Sequence, residues 1–223
     1  MSWGQSFVKN IKNIILGGFA LLFSFLFPLY SFSKPIKFIV NDELGRDNVS
    51  FTSDAPIELV VGRTNKINGT ITIDDSLDLN KGPFNISFDV DLSSIDTGIP
   101  LRNEHMRDNF LETKKFPKAI FKVTKIVPAT PSKLLDSKSQ KLMAEGDLNI
   151  HGVAIKKKIP VKVTYLKESE FTHSRFEHGD VIKIQSTFDV PLEEHKIKRP
   201  EVIFQKLADT VIVTIDAYAV MQK

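Results

Sequence analysis

Apolar and polar residues alternate along much of the chain after residue 33, which is the pattern of extended strands with one buried face. The clearest run places an apolar side chain at every second position from Phe84 to Leu92, with Asn, Ser and Asp between them. The same alternation returns over residues 159–165, 182–190 and 211–217. The pattern predicts a strand in each of these four segments.

Weaker alternation predicts six further strands. They fall around Ile36–Val40, Val49–Ser53, Ile57–Val61, Ile67–Ile73, Ile120–Val127 and Lys141–Ile150. Turn-forming residues separate the runs, as in residues 80–83 and at His151-Gly152. Short connections favour antiparallel hairpins, and we find no strand–helix–strand rhythm of the kind that produces a parallel sheet. The chain is therefore predicted to be all-β, either a sandwich or an up-and-down barrel.

One segment breaks the alternation. Between Ile99 and Pro117 the apolar residues Met106, Phe110 and Leu111 follow helical spacing, and Pro117 is expected to stop the helix. We therefore predict one short helix near residues 102–115. No internal repeat or linker divides the chain after residue 33, so residues 34–223 are expected to form a single domain.

The first 33 residues have the order of a secretory signal. Lys9 and Lys12 precede an apolar run over residues 14–30, and the small residues Ser31 and Ser33 follow it. The run is broken by two glycines and a proline and is short for a membrane-spanning helix. We expect cleavage after Ser33 and a periplasmic or secreted domain of residues 34–223, with an uncleaved anchor as the alternative.

Composition removes several classes of function. None of the 223 residues is cysteine, so a disulfide framework, a thiolate zinc site and a cysteine nucleophile are all excluded. The chain has 30 Lys and Arg residues against 27 Asp and Glu residues, and two of the basic residues lie in the leader. The nearly balanced remainder gives no reason to expect a nucleic-acid partner.

The interior of such a barrel decides its function, because about eight strands can either be filled by side chains or enclose one ligand. Small residues expected on the inner face leave room for a ligand. They are Ala144, Gly146, Ser186, Ala217 and Ala219. Large and small residues also alternate in the filled core of a tapering barrel. Periodicity alone therefore leaves both possibilities open.

Three blocks of sequence, in order, resemble the YceI family. The first runs from Ser93 to Phe121 and matches a strand ending in S-[IV]-x-T, a helix opening with R-[DN]-x-H-[LM]-R, then F-[FL] and K-[YF]-P. The second is Gly146–Val153 leading into Pro160–Val163, and the third is Ala208–Ile215. Asn103 stands where the family usually has Asp, and the connection at residues 128–139 is long.

The resemblance implies an exported bacterial protein with an antiparallel, up-and-down, lipocalin-like β-barrel of about eight strands and one helix near its mouth. It implies a non-enzymatic protein that binds, transports or stores a polyisoprenoid, quinone-type or similar amphiphilic lipid, with no other cofactor. By alternation, the residues expected to face the interior and line the ligand site are Phe84, Ile86, Phe88, Phe121, Val123, Leu148, Val161, Val163, Ile184, Phe188, Val213 and Ile215.

Polar residues at two places have competing interpretations. Arg102, His105 and Arg107 could meet a polar head group or close the mouth, or they could pin the helix to the barrel. His173 and His178 share a polar segment with Glu168, Glu170 and Glu177. We interpret this segment as a solvated hairpin and predict no metal, because no regular element is expected to direct both histidines to one point.

Three rival functions were weighed. A lipid-modifying enzyme would need an inward acid–base pair, and Asp89, Asp91 and Asp189 all fall on the wet face. An outer-membrane barrel would need its apolar side chains on the outer, lipid-facing side and its polar side chains inside. A filled barrel that acts as a stress or partner-binding module fits the sequence equally well. Besides the lipid, the chain could contact a membrane surface transiently or pair with a second copy of itself.

Overall fold

The computed structural model describes residues 34–128, 130–176, 178–200 and 205–222, which form ten strands and several short helices. The leader predicted for residues 1–33 lies outside the described residues. The strands are β1 (Pro35–Val40), β2 (Asn48–Ala55), β3 (Glu58–Thr64), β4 (Ile67–Asp74), β5 (Asn85–Asp91), β6 (Lys118–Pro128), β7 (Lys138–Ile150), β8 (Val153–Leu166), β9 (Val181–Pro191) and β10 (Thr210–Met221).

Eight of these strands close into a ring. Antiparallel pairing follows the order β1, β4, β5, β6, β7, β8, β9 and β10, and β10 pairs back to β1 through Phe38 with Met221 and Ile39 with Val220. The other half of β10, from Ile212 to Asp216, pairs with β2, which carries β3 as its neighbour. The predicted all-β barrel of about eight antiparallel strands is confirmed, with the β2–β3 hairpin as an addition to the simple up-and-down order.

The predicted helix is present with shifted bounds. Helix α1 covers Pro100–His105 and continues as a π-helical turn over Met106–Phe110, closed by a hydrogen bond of 2.9 Å from the Leu111 N–H to the Met106 carbonyl. It begins two residues earlier than expected because proline is well suited to the first helical turn. It ends before residue 115 because Glu112 adopts a positive φ of 45°, which a helix cannot continue.

A second short helix was not predicted. Helix α2 covers Glu170–His173, inside the polar segment that the sequence suggested was a solvated hairpin. Ser169 and Thr172 form a capping box, in which each side chain accepts a hydrogen bond from the backbone N–H of the other. In the described part of the chain, we find no helix with the length and apolar character needed to span a membrane.

One small inward residue has a different role from the one expected. Gly146 does not border free space, because a Cβ atom there would lie 2.1 Å from the Lys122 carbonyl oxygen. The pairing of β6 with β7 shifts register beside it, between Val123 and Lys125. Glycine at this position therefore permits the close backbone approach of a bulged strand pair. Ala219 is fully buried in the core, whereas Ala144, Ser186 and Ala217 do border a cavity.

Asp47 is a buried carboxyl that opposes folding at neutral pH. The residue is 2% exposed, and its Oδ1 accepts a 2.9 Å hydrogen bond from the Tyr218 N–H. The other carboxyl oxygen has no hydrogen-bond partner among the described residues. Burial raises the pKa of Asp47 to about 6. Between pH 3.8 and about 6 the folded protein therefore still holds a proton on Asp47, whereas the unfolded chain, with the ordinary pKa of 3.8, has released it.

We expect Asp47→Asn to raise the free energy of unfolding at about pH 7 by about 1–3 kcal/mol, because the amide keeps the acceptor for Tyr218 and cannot ionise. The advantage should shrink as the pH falls towards about 4, where Asp47 of the folded wild type is protonated. Urea unfolding across this pH range measures both effects. The exposed Asp54 on β2 gives the control variant Asp54→Asn. An advantage of Asp47→Asn that stays constant with pH would contradict this account.

Candidate functional site

The interior of the barrel is a cavity of about 650 Å³ with a lining that is almost entirely aliphatic and aromatic. Eleven of the twelve residues predicted to face a ligand line it. They are Ile86, Phe88, Phe121, Val123, Leu148, Val161, Val163, Ile184, Phe188, Val213 and Ile215. Phe84 packs against the buried core but is not among the described residues that line the cavity, and it lies just before β5, which begins at Asn85.

Several lining residues were missed by the sequence prediction. Ile67, Ile71 and Ile73 on β4 face the cavity, and their period of two was a usable signal. Val60 on β3 and Phe110 after α1 also line it. Their contribution depends on where the β2–β3 hairpin and the helix lie against the ring, which alternation along a strand does not report.

One end of the cavity, which we call the floor, is closed by the connection between β6 and β7. Leu134 in this connection is buried and lines the cavity together with Leu79. Two backbone hydrogen bonds hold the connection to the loop that precedes β5, from Leu134 N–H to the Leu77 carbonyl at 2.9 Å and from Leu79 N–H to the Ser132 carbonyl at 3.2 Å. The described part of the long connection noted in the sequence therefore covers this end of the barrel.

The other end, which we call the mouth, reaches the surface beside α1 and β3. Ile99 and Leu101 line the cavity and yet are 49% and 61% exposed. The exposed residues His105 and Lys206 stand at the same end. Among the described lining residues, the only ionisable ones are at this end, namely Glu58, Arg102, His105 and Lys206.

The three polar residues predicted near the mouth have different environments. The Arg102 guanidinium donates to Glu58 Oε1 at 2.7 Å, to Thr97 Oγ1 at 2.9 Å and to the Thr97 carbonyl at 2.9 Å. It therefore pins α1 to β3 and to the loop before the helix, as the second interpretation had it. His105 is exposed on the rim, and Arg107 is not among the described lining residues.

Asn103 is the buried centre of this network, a role that the sequence did not reveal. Its Oδ1 accepts hydrogen bonds from the Thr97 N–H at 2.8 Å and the Thr97 hydroxyl at 2.7 Å. Its amide nitrogen donates to Asp96 Oδ1 at 2.6 Å. The Gly98 N–H also donates to Asp96 Oδ1, and this hydrogen bond, followed by the one from Asn103, holds the pKa of Asp96 below its ordinary value. Asn103 thus joins α1 to the segment that follows β5.

The deep part of the cavity is lined almost entirely by apolar side chains. Its polar group Ser186 already donates its hydroxyl to the Pro160 carbonyl at 2.7 Å. The ionisable lining residues stay at the mouth, where Glu58 and Arg102 pair with each other. General acid–base catalysis needs a positioned proton donor or acceptor within reach of the substrate. The described interior offers dispersion contacts and apolar surface.

We expect Asn103→Ala to lower the free energy of unfolding by about 1–3 kcal/mol, because the buried Thr97 donors lose their acceptor. Chemical denaturation followed by circular dichroism measures the loss. The exposed Asn109, in the π-helical turn after α1, gives the matched control Asn109→Ala, which should be nearly neutral. Equal losses in the two variants would mean that the buried amide contributes nothing specific.

Comparison with known proteins identifies relatives of this cavity-bearing barrel. The family model of the YceI-like domain matches residues 44–219. The UPF0312 protein VPA0850 of Vibrio parahaemolyticus is 26% identical over 123 residues, which is 54% of this chain and 59% of that protein. The UPF0312 protein VVA0736 of Vibrio vulnificus is 26% identical over 144 residues, 64% of this chain and 68% of that protein.

Solved structures share the fold at lower identity. BcnA of Burkholderia cenocepacia has a TM-score of 0.61 and 18% identity, with coverage of 80% of this chain and 98% of that one. A polyisoprenoid binding domain from Saccharophagus degradans, implicated in plant cell wall breakdown, has the same TM-score and identity, with coverage of 85% and 100%. A YceI protein of Campylobacter jejuni has a TM-score of 0.53 and 17% identity over 73% of this chain and 84% of that one. These likenesses concern the architecture.

Proposed function

Because the chain belongs to the family of YceI-like domains, we propose that it binds the tail of a long-chain isoprenoid or similar amphiphilic lipid inside the barrel without transforming it. The observation that carries the proposal is the cavity of about 650 Å³, which lies inside the roughly 300–1,000 Å³ range of ligand sites. Its apolar lining and closed floor fit an apolar tail, and its mouth supplies the charged groups. A relative of similar fold is described as a polyisoprenoid binding domain, which supports the same class of ligand.

The energetics of an apolar tail are favourable in such a cavity. Each buried CH₂ contributes about 0.8 kcal/mol, so a five-carbon unit contributes roughly 3 kcal/mol before ordering costs are subtracted. A few units offset the cost of immobilising the chain. Selectivity then rests on the tail, since the described interior offers its ligand hardly any polar contact. A barrel already filled by side chains would have no such space.

We place the head group at the mouth. His105 and Lys206 are exposed there and free of the network that holds Arg102 to Glu58, so they are available to a polar or anionic head. The positive charge of Lys206 and the hydrogen-bonding capacity of both side chains would orient the lipid with its tail towards the floor. Together with the leader-like first 33 residues, this supports a carrier or storage protein that acts in the periplasm or outside the cell.

Apolar side chains around the mouth suggest how a lipid enters. Ile57 and Leu59 flank Glu58 on β3 and are 63% and 62% exposed, beside the exposed Ile99 and Leu101. We propose that this rim touches a membrane surface while a lipid passes into the cavity, because an apolar tail would otherwise cross water. Alternatively, the rim could form an interface with a second copy of the chain.

The direct test is mass spectrometry of residues 34–223 purified from an exporting host without detergent. We expect an organic extract to contain a long-chain lipid, and native mass spectrometry to show it bound in stoichiometric amount. Val213→Phe adds a larger side chain at a half-buried position on the cavity wall and should reduce the occupancy several-fold with little change in the melting temperature, because its ring can extend into the cavity.

The matched control is Thr214→Phe, on the exposed face of the same strand, which should keep the lipid. A protein that is free of lipid, and remains so after incubation with polyprenyl and quinone lipids, would disprove the proposal. A large loss of stability in Val213→Phe with unchanged lipid would show that this part of the barrel is packed rather than open.

For the rim, we expect Leu59→Ser to slow the uptake of lipid from vesicles several-fold and to leave the final occupancy unchanged, because Leu59 does not line the cavity. Uptake of a fluorescent lipid measures the rate. Val127→Ser is the control, since Val127 is exposed at the floor end of β6. A variant that loads at the wild-type rate but converts a dimer into a monomer in sedimentation would identify the rim as a dimer interface instead.

A further inference from the structure

Three potential metal ligands meet near α2, away from the cavity. Donor atoms of Glu168, His173 and His178 all lie within 4.8 Å of one another. His173 Nε2 is 2.8 Å from Glu168 Oε1, and the two imidazole rings stand nearly perpendicular with their centroids 5.8 Å apart. None of the three is among the described residues that line the cavity. The sequence separates them by ten positions, and the fold gathers them.

The backbone beneath this cluster is fixed. The capping box of Ser169 and Thr172 shapes the turn between Glu168 and His173. Both oxygens of the Asp180 carboxyl are engaged, one by the Glu168 N–H at 2.8 Å and the other by the Tyr165 hydroxyl at 2.5 Å. These bonds tie the end of β8 to the residues just before β9. They supply the fixed element that the sequence argument lacked.

A buried aromatic ring anchors the same segment from below. Phe176, between the two histidines in sequence, is buried and packs against Tyr218 with the ring centroids 5.4 Å apart. The Arg46 guanidinium stacks on the Phe176 ring at 4.5 Å and also donates to the Arg175 carbonyl. The described part of this turn therefore has its own small core, which holds the backbone that carries Glu168 and His173.

The donor set points to a transition metal. Imidazole nitrogen and carboxylate oxygen together suit Zn²⁺, Ni²⁺ or Cu²⁺, whereas Ca²⁺ and Mg²⁺ prefer oxygen alone. With ligand bonds of about 2.0–2.2 Å, two donors on one ion lie roughly 3.5 Å apart. The donors that are up to 4.8 Å apart therefore need to approach by about 1 Å, whereas His173 Nε2 and Glu168 Oε1, now 2.8 Å apart, need to separate slightly. The His173 side chain is 45% exposed and has room for that rotation.

We propose that Glu168, His173 and His178 form a binding site for a divalent transition metal of the zinc class, at the floor end of the barrel. The position follows from the neighbouring contacts, because the Lys167 N–H donates to Asp136 and the Ser137 N–H donates to the Tyr165 carbonyl, both at 2.8 Å. A bound ion would link the two ends of the β8–β9 connection, leaving a coordination position for water. The site is independent of lipid binding.

The experiment is a calorimetric titration of the purified protein with ZnCl₂, together with its melting temperature at several zinc concentrations. We expect one ion per chain and a melting temperature that rises with zinc, since an ion bound only by the folded state stabilises it. His178→Ala should weaken binding by more than an order of magnitude, and Glu168→Gln by a smaller factor. Glu170→Gln, which changes an exposed carboxyl on α2 outside the cluster, should bind zinc as the wild type does.

Titration with CoCl₂ is the second measurement, because tetrahedral coordination by these ligands gives visible absorption that His178→Ala should abolish. Circular dichroism shows whether each variant is folded, and the exposure of His178 makes loss of folding there an unexpected result. Absence of zinc binding to the wild type would overturn the proposal. Equal affinity and equal cobalt absorption in the wild type and His178→Ala would also overturn it, because the metal would then be held elsewhere.

Discussion

The pairing of one long strand with two different partners determines the rest of this structure. At its C-terminal end β10 pairs with β1 and closes the ring, whereas from Ile212 to Asp216 it pairs with β2. A closed ring has no free strand edges and is wide enough to enclose a cavity, which the inward apolar side chains line. At the mouth, β2 and β3 take the place of β1 beside β10. The barrel wall there needs α1 to complete it.

The hydrogen bonds of α1 are thus part of the cavity's construction. Asn103 satisfies both donors of Thr97, and Arg102 spans from Thr97 to Glu58. A neutral amide at position 103 both accepts and donates in this network, so the helix is held with few charges near the apolar interior. The remaining ionisable groups at the mouth, His105 and Lys206, are exposed. The polar groups that form hydrogen bonds are gathered at the mouth, and apolar side chains line the rest of the barrel.

Alternation along the chain predicted the strands and most of the cavity lining, because period two directly reports which side chains share a face. It does not report where a strand begins, so Phe84 was included although it lies one residue before the start of β5. Nor does it report long-range register, which is why Gly146 was taken for a space-leaving residue although it relieves a close approach to Lys122. Both errors come from contacts between chain segments rather than from local pattern.

The helical segments were harder to predict for a related reason. Helix α2 has four residues, too few for a helical period, and its signal was the capping box of Ser169 and Thr172 rather than any apolar spacing. The role of Asn103 depends on Asp96 and Thr97, which reach it only through the turn at Gly98 with its positive φ of 78°. Such side-chain networks can be recognised only from the tertiary structure, because which residues form hydrogen bonds depends on their positions in space and not on residue type alone.

The closed floor has a consequence for any chain that occupies the barrel. Leu134 is buried at the floor end, and two backbone hydrogen bonds hold its connection in place, so under the proposed function a tail would enter from the mouth and advance as far as Leu134. A short tail would draw its head group inside the rim, and a long one would leave its first carbons in the solvent. Under the proposed function, the distance from Leu134 to the mouth therefore determines which chain length fits best among lipids that differ only in the length of the tail.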